Sequence, residues 1–179
     1  MLISSASRAA NKGGATTAGA VGELGLGDPY HIGIAILDLD AAIARFGELL
    51  GIAPWGLIDA EVPAIYRGAD TTSGVRSAFA HLGSMYVELV EPTVGDFPAK
   101  TFLRERGEGI YHLGYWAPDM REALGKAEAA GLAVDWAFPV GDPQVVYLDA
   151  AATFGLHIEL VHPSMRAGID RAIAKAGGV

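Results

Sequence analysis

Two stretches, PYHIGIAI at residues 29–36 and GIYHLGYW at residues 109–116, each place a histidine inside an apolar run, two residues before a glycine. Two others, MYVELV around Glu88 and LHIELV around Glu159, each place one glutamate in a similar setting. A carboxylate left unpaired in a buried strand is costly, so such groups need a partner. Four of them at matching positions, His31, Glu88, His112 and Glu159, point to one shared centre. Two imidazoles and two carboxylates suit a divalent ion of intermediate hardness: Co, Ni, Zn, Mn or Fe. There is no cysteine, which excludes disulfides and thiolate ligands. One chemistry open to such a centre is proton abstraction next to a carbonyl. The ion polarises the oxygen and a carboxylate, Glu159 or Glu88, takes the proton.

For these four to meet, the strands carrying them must be arranged symmetrically. Side chains alternate across a strand, so residues two apart share a face. His31 therefore shares a face with Gly33, and His112 with Gly114 and Trp116. Glu88 shares one with Tyr86, and Glu159 with His157. Trp116, Tyr86, Gly33 and His157 are thus candidates for the substrate wall.

The order of elements repeats. YHIGIAIL is a strand; Asp38 or Asp40 can cap the helix that follows, and Gly51 ends it. Within that helix, apolar residues at 43, 46, 49 and 50 mark the buried stripe. GLIDAEVPAIYRGADTTSG reads as a strand plus a mobile loop, and Gly83-Ser84 as a hairpin turn between two further strands. In the second half, GIYHLGYWA is a strand and DMREALGKAEAAG a helix, with Leu124 and Ala127 on its apolar side. LAVDWAF, QVVYLDA and GLHIELVHP supply three more strands. Aligning His31 with His112 also aligns Gly33 with Gly114 and Asp38 with Asp119. The expected organisation is a flexible arm at 1–27, a βαβββ module at 28–94, a linker at 95–108, a second βαβββ module at 109–162, and a helical tail at 163–179. The fold class is α+β, with the two modules forming an open sheet around a cavity.

The chain has 179 residues, 51% hydrophobic, and a formal net charge of −8 with acids and bases interspersed. No basic stripe suggests a nucleic-acid partner. No apolar stretch approaches the roughly 20 residues of a membrane span, and the N-terminus lacks the apolar core of a signal peptide. A cytoplasmic protein is expected.

These residues and their order resemble the vicinal oxygen chelate superfamily, which includes glyoxalase I, methylmalonyl-CoA epimerase, extradiol dioxygenases and resistance proteins. The resemblance spans about residues 29–162, and His31, Glu88, His112 and Glu159 match the family's four ligand positions. GVRSAFAHLGSMYVELVEP followed by GDFPAKTFLRERGEGIYHLGY is closest to the epimerase branch. There are departures. ADTTSG offers only Asp70 or Thr72 where the epimerase carries a catalytic glutamate, LDAAATFG stands where it has His-Pro-Lys, and Glu88 replaces a frequent glutamine. The resemblance implies a metal-dependent epimerase or isomerase, a carbonyl or acyl-thioester substrate, and a homodimer. A glyoxalase-like lyase acting on a bulkier substrate and a non-catalytic small-molecule binder are the alternatives. Extradiol ring cleavage is disfavoured, because Glu88 fills a position that reaction leaves open.

Overall fold

The computed structural model describes residues 23–139 and 143–178. Most of the arm expected at 1–27 therefore lies outside the described residues. The first module runs β1 (His31–Ala35), α1 (Leu39–Leu50), β2 (Gly56–Tyr66), β3 (Ala69–Leu82) and β4 (Met85–Val94). Next comes α2 (Pro98–Arg106). The second module runs β5 (Gly109–Trp116), α3 (Met120–Ala129), β6 (Ala133–Ala137), β7 (Val145–Asp149), the short α4 (Ala151–Phe154) and β8 (His157–Val161). After a turn of 3₁₀ helix, α5 (Arg166–Ala176) follows.

The helices start where the repeat places them. Asp38 caps α1 by accepting from the Ala41 amide, and Asp119 caps α3 by accepting from the Glu122 amide. Gly51 closes α1 in the left-handed conformation, with φ 67°. The buried stripe of α1 differs from the expected one. It consists of Leu39, Ala42, Ile43 and Phe46, while Leu49 and Leu50 are exposed, because the packing against the sheet ends at Phe46.

The stretch 56–74, expected as a strand plus a mobile loop, holds the strand β2, but in place of the loop the chain turns directly into β3 to form a long β-hairpin. Ile58, Ala60, Val62 and Ala64 alternate with Asp59 and Glu61, and β2 pairs with β3 from Gly56↔Phe79 to Tyr66↔Ala69. Its two-residue turn has Arg67 at φ 51° and Gly68 at φ 79°. Two central residues with positive φ follow the right-handed twist of the strands. Arg67 is an unusual residue for that turn, so the sequence does not signal it.

The eight strands close in the order β1-β4-β3-β2-β6-β7-β8-β5. The sheet expected to be open is closed by a short seam, Ile65↔Ala137 and Tyr66↔Trp136. At the opposite join, β1 and β5 run antiparallel between the modules. Within the modules the matching pairs, β1–β4 and β5–β8, are both parallel.

α1 packs outside the first half over Ile52, Trp55, Ala78 and Leu89. α3 packs outside the second over Leu148, Ile158 and Leu160. The segment expected as a helical tail closes one end of the barrel, where Ile169 and Ile173 of α5 pack with Tyr30, Phe79 and Tyr86. Gly56 permits this approach, since a Cβ there would lie 2.4 Å from the Ile173 amide nitrogen. Among the described residues no helix is long and apolar enough to cross a membrane.

Candidate metal centre and its cavity

The His-x-Gly repeat has a geometric cause. In the antiparallel β1–β5 pair, His31 stands opposite Gly114 and His112 opposite Gly33. Each imidazole lies over the glycine of the other strand. A Cβ at Gly33 would come within 1.9 Å of the His112 ring, and one at Gly114 within 1.8 Å of the His31 ring. Gly33 is therefore the seat of the His112 ring and is not among the residues that line the cavity. The two rings, both fully buried, cross at 77° and meet through their Nε2 atoms.

The glutamates arrive from the parallel neighbours: Glu88 of β4 pairs with Gly33, and Glu159 of β8 with Gly114. Glu159 Oε2 lies 2.9 Å from His31 Nε2 and 3.3 Å from His112 Nε2. Glu88 Oε2 lies 3.3 Å and 3.4 Å from the same two atoms. One ligand atom from each of the four residues falls within 4.8 Å of every other. Separations near 3 Å are those of donors sharing an ion at about 2.0–2.2 Å. Although it lies so close to His31, Glu159 Oε2 makes no aligned hydrogen bond. A nitrogen and oxygen donor set with an underused buried carboxylate oxygen fits a divalent cation.

Electrostatics agree with that fit. Burial alone would lower the His31 pKa, but the charges of Glu159 and then Glu88 outweigh it and raise it to about 9. Burial alone would raise Glu159, yet the neighbouring His112 and His31 hold it below the usual carboxylate range. Glu88 is likewise lowered, by its contacts with His112 and His31 acting against burial. In the metal-free protein positive charge is thus held between the carboxylates, where a cation fits.

Glu88 and Glu159 line a cavity of about 170 Å³ inside the barrel. From the first module the wall is made mostly of small side chains of the β2–β3 hairpin, Ile58, Ala60, Val62, Ser73, Val75 and Ser77, together with the aromatic rings of Tyr30 and Phe79. From the second it is bulky: Trp136, Phe138, Val145 and Tyr147. Tyr30 and Tyr147 also face it, their pKa values pushed well up by burial and then by the Glu159 charge, so both stay neutral phenols.

The other residues expected at the wall are engaged elsewhere. Trp116 stacks on Tyr30 with centroids 3.6 Å apart. Tyr86 donates its hydroxyl to Asp170 of α5. His157 pairs with Asp135 at 2.8 Å, and Asp135 in turn holds Arg67 of the β2–β3 turn at 2.9 Å. Asp70 and Thr72 are exposed on β3, and Ser73 is the residue of that stretch that turns inward. The lining that sequence reasoning missed, Ser73 to Phe79 on β3 and Tyr147 on β7, follows a period of two that was legible in SGVRSAF and VVYLD.

Residues 30–144 match the sequence profile described as Glyoxalase/Bleomycin resistance protein/Dioxygenase superfamily. An ethylmalonyl-CoA/methylmalonyl-CoA epimerase of Cereibacter sphaeroides is 31% identical over 121 residues, 67% of this chain and 81% of that protein. The uncharacterized protein YqjC of Bacillus subtilis is 25% identical over 136 residues, 74% of this chain and 90% of that one. Among solved structures, a variant of the Streptomyces coelicolor methylmalonyl-CoA epimerase in complex with 2-nitronate-propionyl-CoA superposes with a TM-score of 0.57. It has 25% identity, over 76% of this chain and 94% of that one.

Proposed function

We propose, for a chain that belongs to the glyoxalase/bleomycin resistance protein/dioxygenase superfamily, a metal-dependent epimerase or isomerase reaction that begins with removal of a proton next to a carbonyl. The observation that carries this reading is the convergence of His31, Glu88, His112 and Glu159 beside a cavity that both glutamates line. These four side chains would hold the ion. When bound, a divalent metal supplies Lewis-acid polarisation of the substrate carbonyl.

The chain's own residues do the rest. The apolar walls exclude water and hold the substrate's α-carbon between two carboxylates. Glu159 takes the α-proton. Glu88 of the other module, once it has taken a proton from solvent, would deliver it to the opposite face and give the epimer, Glu159 releasing its own proton to solvent; return by Glu159 to the neighbouring carbon would give the isomer. The similarity to the epimerases of Cereibacter sphaeroides and Streptomyces coelicolor favours an acyl thioester as the compound bound. Glyoxalase-like isomerisation is the second reading, favoured by the fourth ligand being a carboxylate, Glu88.

Elemental analysis of the purified protein, with NMR of α-proton exchange into D₂O from a set of acyl thioesters, tests the proposal. One divalent ion per chain and exchange that stops on chelation are expected. Stoichiometric metal without exchange would point to a binding protein, and absence of metal binding would overturn the reading.

A further inference from the structure

The cavity beside the four ligands restricts the compound it can accept. Besides Glu88 and Glu159, its polar lining consists of Ser73, Ser77, Tyr30 and Tyr147. Ser73 is already committed, donating to the Asp96 carbonyl and accepting from the Trp136 indole. The Tyr147 hydroxyl is shared with Tyr111 at 3.3 Å. Ser77 is buried and lines the cavity. No lysine, arginine or histidine is among the described residues that line this space.

Arg166 sits at the Tyr86 hydroxyl beside Asp170 and is not among the lining residues, and two further arginines are held elsewhere. Arg67 is held by Asp135 at the hairpin turn, and Arg76 is held on the outer face of β3 by Glu91 and Asp40. Charge counting then decides the case. Glu88 and Glu159 carry two negative charges, which one divalent ion balances. A third carboxylate, brought in by the substrate, would enter an apolar space with no counter-charge among the described residues that line it, and burying an unpaired ion is strongly unfavourable. The volume sets a second limit. About 170 Å³ is close to the roughly 150 Å³ of an apolar cavity that admits benzene.

Resting on the proton-abstraction reading above, we propose that the substrate is an uncharged carbonyl compound whose α-carbon bears an apolar substituent of up to about benzene size and no second carboxylate. Ser77 and Tyr30 are the polar groups the lining offers it. A dicarboxylic acyl group such as a malonyl derivative is excluded by the same wall.

Two N-acetylcysteamine thioesters of similar shape separate the cases: 2,3-dimethylbutyryl, and methylmalonyl, in which a carboxylate replaces the isopropyl group. Calorimetric binding is measured on metal-free and on zinc-loaded protein. Exchange of the α-proton in D₂O is measured for each thioester against its uncatalysed rate. The neutral thioester is expected to bind at least about tenfold tighter in both forms and to show the larger acceleration. Glu88→Gln, which removes one negative charge, should narrow that gap by about tenfold. Equal or better binding or acceleration of the methylmalonyl thioester overturns the inference while leaving proton abstraction intact. Preferential binding of the neutral thioester without exchange upholds the cavity's selectivity and overturns the catalytic reading. Failure of both thioesters to bind overturns the inference.

Discussion

In the first module the hairpin of β2 and β3 has strands of 11 and 14 residues, whereas β6 and β7 of the second have 5 each. The long hairpin turns mostly small side chains inward, among them Ala60, Ser73 and Ser77, with Phe79 near its end, and the short one turns in Trp136, Phe138 and Tyr147. Outside, α1 covers a core that includes Ile52 and Trp55, while α3 covers one rich in alanine. At the join the modules match: histidine over glycine, glutamate on the parallel neighbour, aspartate capping the helix. The contrast separates two demands. A cluster built from both halves requires symmetry at the join, whereas the cavity beside it does not.

The largest test of that contrast concerns the carboxylates. Glu159→Gln should keep the fold and lower α-proton exchange by about 10²–10⁴-fold, because an amide cannot accept the proton. Glu88→Gln should retain more activity. Equal losses would mean that catalysis is as symmetric as binding.

Next come the two seats. Gly33→Ala and Gly114→Ala should each cost about 1–3 kcal/mol in chemical denaturation, and each should lower metal occupancy, since the added methyl meets a fully buried ring. A matched pair of losses supports the interlocked arrangement, and a neutral result at either glycine breaks it.

A third test uses pH. In metal-free protein the folded His31 pKa of about 9 lies above its ordinary 6.5. Its stabilising contribution is therefore complete below pH 6.5 and is lost as pH rises through about 9. Thermal unfolding of the metal-free protein should accordingly fall between those values. The metal-loaded protein should not show this decline, because the ion takes the place of the proton.

The smallest effects belong to the caps. Asp38→Ala and Asp119→Ala should each destabilise by about 1 kcal/mol, by equal amounts if the two helices carry equal weight. Denaturant midpoints at constant m-value measure this.

The symmetric part of the molecule was the part legible in the sequence. His31, Gly33, Asp38 and their partners at 112, 114 and 119 repeat in type and spacing, and strand alternation aligned Glu88 and Glu159 with them. The asymmetric part was not legible in the same way. Period two alone cannot say which face of a strand meets a cavity and which meets a helix. Trp116 and Tyr86 therefore looked like wall residues, although one is stacked on Tyr30 and the other is tied to α5. The long hairpin was hidden because its turn uses Arg67-Gly68 rather than asparagine or aspartate before glycine, and because Pro63 lies within β2. The structure tolerates that proline because β2 meets β6 only at Ile65 and Tyr66, so Pro63 lies on an otherwise open edge.

The exchange of glycine seats between modules also bears on how the chain folds. β1 finds β4 within its own module, but its other edge stays unpaired until β5 has been synthesised. During that interval the first module exposes an unprotected strand edge, the kind of surface that recruits wrong partners. Closure of the β1–β5 seam covers that edge and seats both imidazoles in one event. Acquisition of metal by a growing chain would therefore report that the two halves have met in the right register.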